Sequence, residues 1–252
     1  ERFDLVLITT KSYDTGDAAT QVLPLLSLDS LVISLQNGLG NVETISAVVG
    51  PDRAVGGRLI FGIEIPEPGA ARITVYADKV MLGSPTHRVE LSRLEGVAAA
   101  FTRAGIPTEA TLAIDQFIWG KVLYNCSLNP LSALLEVNYG ELLEHEETRR
   151  IMTDAIEEIF AVAGARSVPL AWRTPVEYRD LLFGRLIPDT YAHHASMLQD
   201  VTRGKRTEID ALNGAIVRLG LEAGVPAPVN RVLTDMVKVK ERTRSGSDRH
   251  RD

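Results

Sequence analysis

The pattern of hydrophobic and polar positions divides the chain into a first part where short strands alternate with helices and a second part that is helical. Continuous apolar, β-favouring runs in the first part are typical of parallel strands buried on both faces. Their alternation with helices predicts a doubly wound, Rossmann-type α/β domain over residues 1–113. The predicted elements are strand 5–8, helix 14–26, strand 30–35, helix 42–49, strand 54–61, a short hairpin of 72–75 with 79–82, helix 90–104 and strand 108–112.

In the second part the apolar positions recur with the period of a helix, and glycines at the ends of the apolar stretches act as helix stops. We therefore predict an all-helical C-terminal domain over residues 114–241. The segment 242–252 is too polar to pack and is predicted to be a disordered tail. The candidate helices are 115–135, 140–144, 146–164, 174–185, 189–203, 207–223 and 228–241.

Composition and charge narrow the class of protein. The chain has 252 residues, of which 45% are hydrophobic and 24% charged, as is typical of soluble globular proteins. A net charge of −6 argues against a nucleic-acid partner, and no apolar run reaches the roughly 20 residues of a membrane span. A single cysteine, Cys126, excludes an internal disulfide and predicts a reducing compartment, the cytoplasm.

Polar residues interrupt the first, mostly apolar helix of the second part. Lys121, Asn125 and Asn129 are spaced i, i+4, i+8, so they line one ridge of that helix. An ammonium group in such a setting is costly unless it is paired, and a polar small molecule would satisfy all three groups. The alternative is a core helix whose polar side chains bond to neighbouring backbone. Pro130 cannot donate to the carbonyl of Cys126, so we expect the helix to kink or loosen there.

Polar residues also follow two of the predicted parallel strands. Asn37, within the sequence QNG, follows the second strand, and Lys11, within TKS, follows the first. Open α/β sheets bind ligands at the carboxyl ends of their strands, and a lysine there can reach a phosphate or a carboxylate. The alternative for Asn37 is an ordinary turn, and the alternative for Lys11 is a side chain that extends into solvent.

A second polar group of residues lies further along the chain. Ser196 and Asp200 share a predicted helical face. Asp210 occupies the last place of a capping-box-like sequence and can be explained as a helix-start acid, whereas Glu208 is free to point elsewhere, for example toward the lysine of the apolar helix. Two adjacent histidines in the same segment point in different directions on a helix, and we predict no metal site.

Four segments together give the chain a resemblance to a known family. In order and approximate spacing they are similar to the motifs of the ketopantoate reductases. The resemblance implies a Rossmann domain followed by a helical domain, and the NADPH-dependent reduction of a small 2-oxo acid, 2-dehydropantoate, to pantoate in the coenzyme A pathway. A homodimer is a further expectation. The segments are TTKSYD at 9–14, QNGLGN at 36–41, FIWGKVLYNCSLNPLSALL at 117–135 and SMLQDVTRGKRTEIDALNG at 196–214.

The resemblance also implies roles for individual residues. Lys121 resembles the catalytic lysine of the family, the general acid that protonates the ketone oxygen, and Glu208 resembles the glutamate that assists it. Asn125 and Asn129 are similar to substrate-binding asparagines. Ser196 is similar to a serine that contacts the substrate carboxylate.

On the cofactor side, Asn37 resembles an asparagine near the nicotinamide of NADPH, and Lys11 resembles a lysine close to the same place. The G-x-G-x-x-G turn of dinucleotide-binding folds is absent, and the chain opens on a strand without an initiating methionine. We therefore expect residues 1–113 to be a partial dinucleotide-binding domain that lacks its N-terminal Gly-rich part. A second departure is Tyr139, where many family members carry an asparagine, and it affects one substrate contact.

Two other functions are compatible with the sequence. The first is a non-catalytic helical binding or dimerisation module that descends from this family and binds no cofactor, an idea motivated by the missing Gly-rich turn. The second is a related hydroxyacid or polyol-phosphate dehydrogenase, which shares a lysine-bearing helix but not the sequence SMLQD followed by TEID.

Overall fold

The computed structural model describes residues 1–247 of the chain, without the side chains at 64–65, 74–75 and 245–247. The described chain forms two compact units, and the first passes into the second between Ile118 and Trp119. Each unit buries its own set of apolar side chains.

The first unit is a five-stranded sheet with three helices, which confirms the predicted α/β class. Its strands are β1 (Phe3–Ile8), β2 (Leu26–Ser34), β3 (Ala54–Glu67), β4 (Ala70–Gly83) and β5 (Thr108–Ala110), and its helices are α1 (Thr15–Val22), α2 (Asn41–Val49) and α3 (Leu91–Arg103). The strands follow one another across the sheet in sequence order. β1, β2 and β3 are parallel, β4 is antiparallel to β3, and β5 is parallel to β4.

The central strand β2 is buried on both faces, as its continuous apolar run predicts. Side chains alternate between the two faces of a strand. Val32 packs in one core cluster with Ile45 of α2. Its neighbours Leu31 and Ile33 pack in the other cluster, which contains Leu94 of α3. Helices therefore cover both faces of this part of the sheet.

The predicted short hairpin of 72–75 with 79–82 is wrong. Both segments belong to β4, a single strand that pairs with β3, and the chain reverses earlier, beside Gly69 with its φ of 84°. Aspartate is uncommon within strands, so Asp78 favoured a break in the pattern. Its carboxylate instead accepts a 2.8 Å hydrogen bond from the buried Arg58 of β3, and the strand continues.

The second unit is helical in the described residues, which confirms the predicted class. Its helices are α4 (Ile114–Leu135, which starts in the first unit), α5 (Glu146–Ala165), α6 (Pro175–Leu181), α7 (Ile187–Asp189), α8 (Ser196–Thr202), α9 (Asn213–Ala223) and α10 (Pro228–Ser247). A π-helical turn at Leu182–Leu186 joins α6 to α7. Within residues 1–247, no helix combines the length and the apolar character that a bilayer crossing requires.

The helix that contains Ser196 begins later than predicted. The residues before it are not helical, because their backbone bonds to a different part of the chain. The carbonyl of His193 accepts from the N–H of Tyr139 at 3.0 Å, and the carbonyl of Tyr191 accepts from the N–H of Gly140 at 2.9 Å. These bonds depend on tertiary structure, so the helical period of the sequence could not reveal them.

Further boundaries differ from the prediction, since β2 begins at Leu26, within the predicted helix 14–26, and the predicted helix 174–185 continues to Asp189. α9 begins at Asn213 and not at 207, because the preceding residues form turns in which the Thr207 hydroxyl accepts from the N–H of Ile209 at 3.2 Å. The predicted disordered tail is wrong for residues 242–247, which continue α10. Residues 248–252 of that tail lie outside the described residues.

α4 continues as one α-helix through Pro130. Proline cannot donate to the carbonyl of Cys126, and the side chain of Asn213 takes its place, with Nδ2 at 3.0 Å from that oxygen. The same Nδ2 donates to Oδ1 of Asn230 at 2.9 Å, and Nδ2 of Asn230 donates to Glu158 at 2.7 Å. The carboxylate of Glu158 also accepts from backbone N–H groups in the first turn of α10. We call Cys126, Asn213, Asn230 and Glu158 the Asn213 network.

We expect Asn213→Ala to lower the free energy of unfolding by about 1–3 kcal/mol, because it removes the donor to the buried carbonyl of Cys126. Pro130→Ala restores a backbone N–H opposite that carbonyl, so the loss of Asn213 should cost less in the Pro130→Ala background. Urea unfolding of the wild type, the two single variants and the double variant measures both costs. An equal cost in the two backgrounds would show that Asn213 stabilises the protein in some other way.

Candidate active site

The predicted residues Lys121, Asn125 and Asn129 all lie on α4, so they are one turn apart on the same ridge. Asn125 and Asn129 are 7% and 4% exposed, and Lys121 is half-buried. Neighbouring positions such as Leu123 and Leu128 are fully buried. Hydrogen bonds and charges act more strongly in such surroundings than in water. We call this row of three residues the polar ridge.

Asn129 has a buried partner that the sequence did not reveal. The Tyr139 hydroxyl donates to Oδ1 of Asn129 at 2.7 Å, and Tyr139 is only 2% exposed. Its ring lies edge-on to Tyr124, with centroids 5.7 Å apart, and its centroid is 5.1 Å from that of His193. Burial and then the nearby Tyr124 raise the pKa of Tyr139 well above its usual value. Tyr139 is therefore a neutral phenol with a proton to donate.

Ser196 is the first residue of α8, and its side chain is exposed. The segment just before it is fixed by the backbone hydrogen bonds from Tyr139 and Gly140 described above. A Cβ at position 140 would overlap the ring of Tyr191, so only glycine permits this contact without a shift. Burial and then the neighbouring His194 lower the pKa of His193, which favours its neutral form beside Tyr139.

Glu208 lies in the turns before α9 and is 7% exposed. Carboxylates are rarely this buried unless a partner stabilises them. Asp210, two residues later, is partly exposed and forms ion pairs with Lys238 and, at 3.2 Å, with Arg206. Asp210 precedes α9 rather than lying in its first turn, so its pairing, and not a helix start, explains this acid.

In the first unit, Gln36 connects the two strand-end loops that carry Lys11 and Asn37. Its Nε2 donates to the carbonyl of Thr10 at 2.9 Å and to Oγ1 of Thr15 at 2.8 Å. Because one side chain bonds both loops, the loop after β1 and the loop after β2 are fixed relative to each other. Lys11 and Asn37 are both half-buried. We call residues 10–15 and 36–41 together the strand-end shelf.

The second loop of the strand-end shelf has further internal support. Nδ2 of Asn41 donates to the carbonyl of Asn37 at 2.9 Å. Gly38 and Gly40 have φ values of 87° and 94°, the left-handed region that glycine adopts without strain. The chain therefore bends at Asn37-Gly38, and this places Asn37 just after the carboxyl end of β2.

The sequence indicated no role for Gln36 or for Arg58. Arg58 is 4% exposed, bonds to Asp78 through Nη2 at 2.8 Å, and lies 5.2 Å from the centroid of the Phe117 ring. Its Nη1 has no hydrogen-bond partner in the described residues. In the sequence, Arg58 could have been noticed as a single arginine inside an otherwise apolar run of β3.

The two units therefore offer different chemistry. The first offers the strand-end shelf with a lysine and an asparagine. The second offers an amine and two amides on the polar ridge, together with a buried carboxylate. An amine can donate a proton, and amides can bind the oxygens of a small acid. Within residues 1–247, no group of three or more His, Cys, Asp and Glu side chains is arranged to hold a metal ion.

Comparisons with known proteins agree along most of the chain. Residues 1–86 match the family model for ketopantoate reductase PanE/ApbA, and residues 113–241 match the model for the C-terminal part of the same family. The 2-dehydropantoate 2-reductase of Aquifex aeolicus is 43% identical over 238 residues, which cover 94% of this chain and 76% of that protein. The 2-dehydropantoate 2-reductase of Pyrococcus horikoshii is 34% identical over 244 residues, 97% of this chain and 78% of that protein.

Among solved structures, a PanE/ApbA family ketopantoate reductase from Ralstonia eutropha JMP134 matches with a TM-score of 0.84 and 35% sequence identity. The match covers 96% of this chain and 76% of that one. The alternative of a non-catalytic descendant finds no support in these matches. Because both family models and the relatives agree over most of the residues, this chain belongs to the ketopantoate reductase family.

Proposed function

We propose that this protein reduces 2-dehydropantoate to pantoate with NADPH and that Lys121 is the proton donor. The observation that carries the proposal is the polar ridge on α4, in a chain of the ketopantoate reductase family. Its relatives at 43% and 34% identity are named 2-dehydropantoate 2-reductase. In this reaction the ketone carbon gains a hydride and the ketone oxygen gains a proton, so that a 2-oxo acid becomes a 2-hydroxy acid.

Lys121 is suited to protonate the ketone oxygen. Reduction builds negative charge on that oxygen, and a nearby ammonium group stabilises the charge before it donates its proton. The half-burial of Lys121 strengthens this interaction, because less water competes for the charge. After the transfer the amine takes a proton from solvent, and the residue is ready for another turnover.

Asn125 and Asn129 bind the uncharged oxygens of the substrate, and Ser196 binds its carboxylate. The two asparagines support this role because they are polar, almost fully buried and one turn apart on the same ridge as Lys121. Ser196 is exposed at the start of α8, where backbone N–H groups without helical partners favour an anion.

Glu208 assists Lys121 in the proposed reaction. A buried carboxylate favours the protonated form of an amine that it can reach, because opposite charges stabilise each other in a low-dielectric setting. At 7% exposure Glu208 has little water to solvate it, so it needs such a cation.

NADPH is the cofactor that we propose, with Lys11 and Asn37 among the residues that bind it. The strand-end shelf fits a dinucleotide: it lies at the carboxyl ends of parallel strands, and Gly38 and Gly40 leave its backbone open to a close approach. Lys11 supplies a positive charge for a phosphate and Asn37 supplies an amide for a polar group. The bound nicotinamide supplies the hydride.

We also propose a cytoplasmic homodimer. Cys126 is buried and unbridged, as is usual in reducing compartments. α10 exposes Val232, Met236 and Val239, which are spaced along one face of the helix and are each about half exposed. A second copy of the chain would remove this apolar face from water.

We expect Lys121→Ala to lower kcat for 2-dehydropantoate by about 10²–10⁴-fold, the usual contribution of a general acid. NADPH oxidation followed at 340 nm measures the rate in the complete enzyme. Lys79→Ala is the matched control, because Lys79 is an exposed lysine on β4 that pairs with Glu109 at the surface. Turnover by Lys121→Ala at the wild-type rate would remove Lys121 from the mechanism.

We expect Gln36→Ala to raise the KM for NADPH by about tenfold, the equivalent of one lost hydrogen bond, while kcat at saturating NADPH changes little. The reason is that the two loops of the strand-end shelf lose their common side chain. Gln199→Ala serves as the control, since Gln199 is exposed on α8. An unchanged KM would show that the loops hold their positions without Gln36.

A further inference from the structure

We propose that Tyr139 is a positioning residue that orients the amide of Asn129 toward the hydroxyl group of the substrate. The inference rests on the proposed function, because it concerns the way in which one substrate-binding residue is prepared. Tyr139 would thereby help to determine which 2-oxo acid the enzyme accepts. Tyr139 itself touches Asn129, and its effect on the substrate is indirect.

The hydrogen bond between Tyr139 and Asn129 defines the orientation of the amide. The phenol hydroxyl donates to Oδ1 of Asn129 at 2.7 Å inside the second unit. An amide has its oxygen on one side and its NH₂ group on the other. With the oxygen engaged by Tyr139, the NH₂ group points away from the tyrosine, so Asn129 presents a donor to a further partner.

Tyr139 has a proton to donate to Asn129 at any pH at which the enzyme works. Burial raises its pKa well above the usual value, so the phenol keeps its proton. Its ring is packed against Tyr124 and His193, which limits rotation of the side chain. Without the hydroxyl, the two orientations of the Asn129 amide would differ less in energy, and a fraction of molecules would present the oxygen instead of the NH₂ group.

The chain returns to Asn129 through a sharp reversal at the end of α4. Glu136, the residue after the helix, has a φ of 61°, a left-handed conformation that is uncommon for a residue other than glycine. Its N–H donates to the carbonyl of Ser132 at 2.9 Å, and its carboxylate accepts from Lys240 at 3.0 Å and from Arg244. This reversal brings residue 139 back beside the last turns of α4.

The backbone of Tyr139 also reaches the segment that leads into Ser196. Its N–H donates to the carbonyl of His193 at 3.0 Å. One residue therefore supports two of the three proposed substrate-binding groups, Asn129 through its hydroxyl and Ser196 through its backbone. A change of the hydroxyl alone tests the first contact and leaves the second intact.

Asn129 is the member of the polar ridge farthest from Lys121, about 12 Å along the helix at 1.5 Å per residue. Because Lys121 serves the ketone oxygen, we assign Asn129 to the opposite end of the substrate, which in 2-dehydropantoate carries the 4-hydroxyl group. A hydroxyl oxygen accepts a hydrogen bond from an NH₂ group. 3,3-Dimethyl-2-oxobutanoate is the same acid without this hydroxyl and is therefore the informative second substrate.

The experiment compares Tyr139→Phe with Tyr178→Phe in the complete enzyme. Tyr178 is fully buried, and its hydroxyl has no hydrogen-bond partner in the described residues, so its loss should leave the kinetics unchanged. We expect Tyr139→Phe to lower kcat/KM for 2-dehydropantoate by about tenfold, mainly through KM. Its kcat/KM for 3,3-dimethyl-2-oxobutanoate should stay at the wild-type value, which also shows that the variant is folded.

A double-mutant cycle tests whether Tyr139 acts through Asn129. In an Asn129→Ala background, Tyr139→Phe should have no further effect on kcat/KM. An equal loss on both substrates, or a loss that persists without Asn129, would overturn the positioning role. Wild-type kinetics in Tyr139→Phe would overturn it as well. If the unaltered enzyme does not reduce 2-dehydropantoate, the proposed function itself fails and the inference falls with it, a result that is distinct from either of these.

Discussion

The second unit depends on a hydrogen bond to the carbonyl group of Cys126. Pro130 cannot supply the helical N–H donor for this carbonyl, and the surrounding side chains exclude water. A buried carbonyl without a partner is costly, so a side-chain donor must come from elsewhere in the chain. Asn213 at the start of α9 supplies it, and Asn230 and Glu158 extend the contact to α10 and α5. Four helices thus meet at one helical defect.

The hydrogen bond to this carbonyl also supports the geometry of the polar ridge. Asn125 and Asn129 lie on either side of Cys126, and their spacing of one turn depends on an unbroken helix at this point. A side-chain donor allows the helix to contain a proline and still continue. Asparagine consequently occurs in two settings near this point: Asn213 and Asn230 bond within the fold, and Asn125 and Asn129 belong to the polar ridge.

The sequence predicted those features that depend on local spacing. β2 could be predicted because a strand with an unbroken apolar run must be covered on both faces, and the polar ridge could be predicted because three residues four apart fall on one side of any helix. Lys11 and Asn37 follow strands, so their place at the strand ends also followed from the order of elements.

The features that the sequence did not predict depend on contacts between distant residues. The long β3–β4 pairing requires Asp78 to meet Arg58, and the late start of α8 requires backbone bonds to residues 139 and 140. The contact of Tyr139 with Asn129 needs a left-handed residue at 136 that no propensity scale favours. The roles of the site residues came from motif resemblance, because a spacing pattern alone does not distinguish a ligand-binding asparagine from a structural one.

The ring of Tyr191 occupies the space where any side chain at position 140 would have to go. Its hydroxyl also bonds to Glu144, so the ring cannot move aside without breaking a further contact. Positions 139 and 140 therefore differ in what engineering toward bulkier or less polar oxo acids can change. A side chain at position 140 would require the ring of Tyr191 to move, whereas Tyr139→Phe keeps the buried ring at 139 and removes only its hydroxyl.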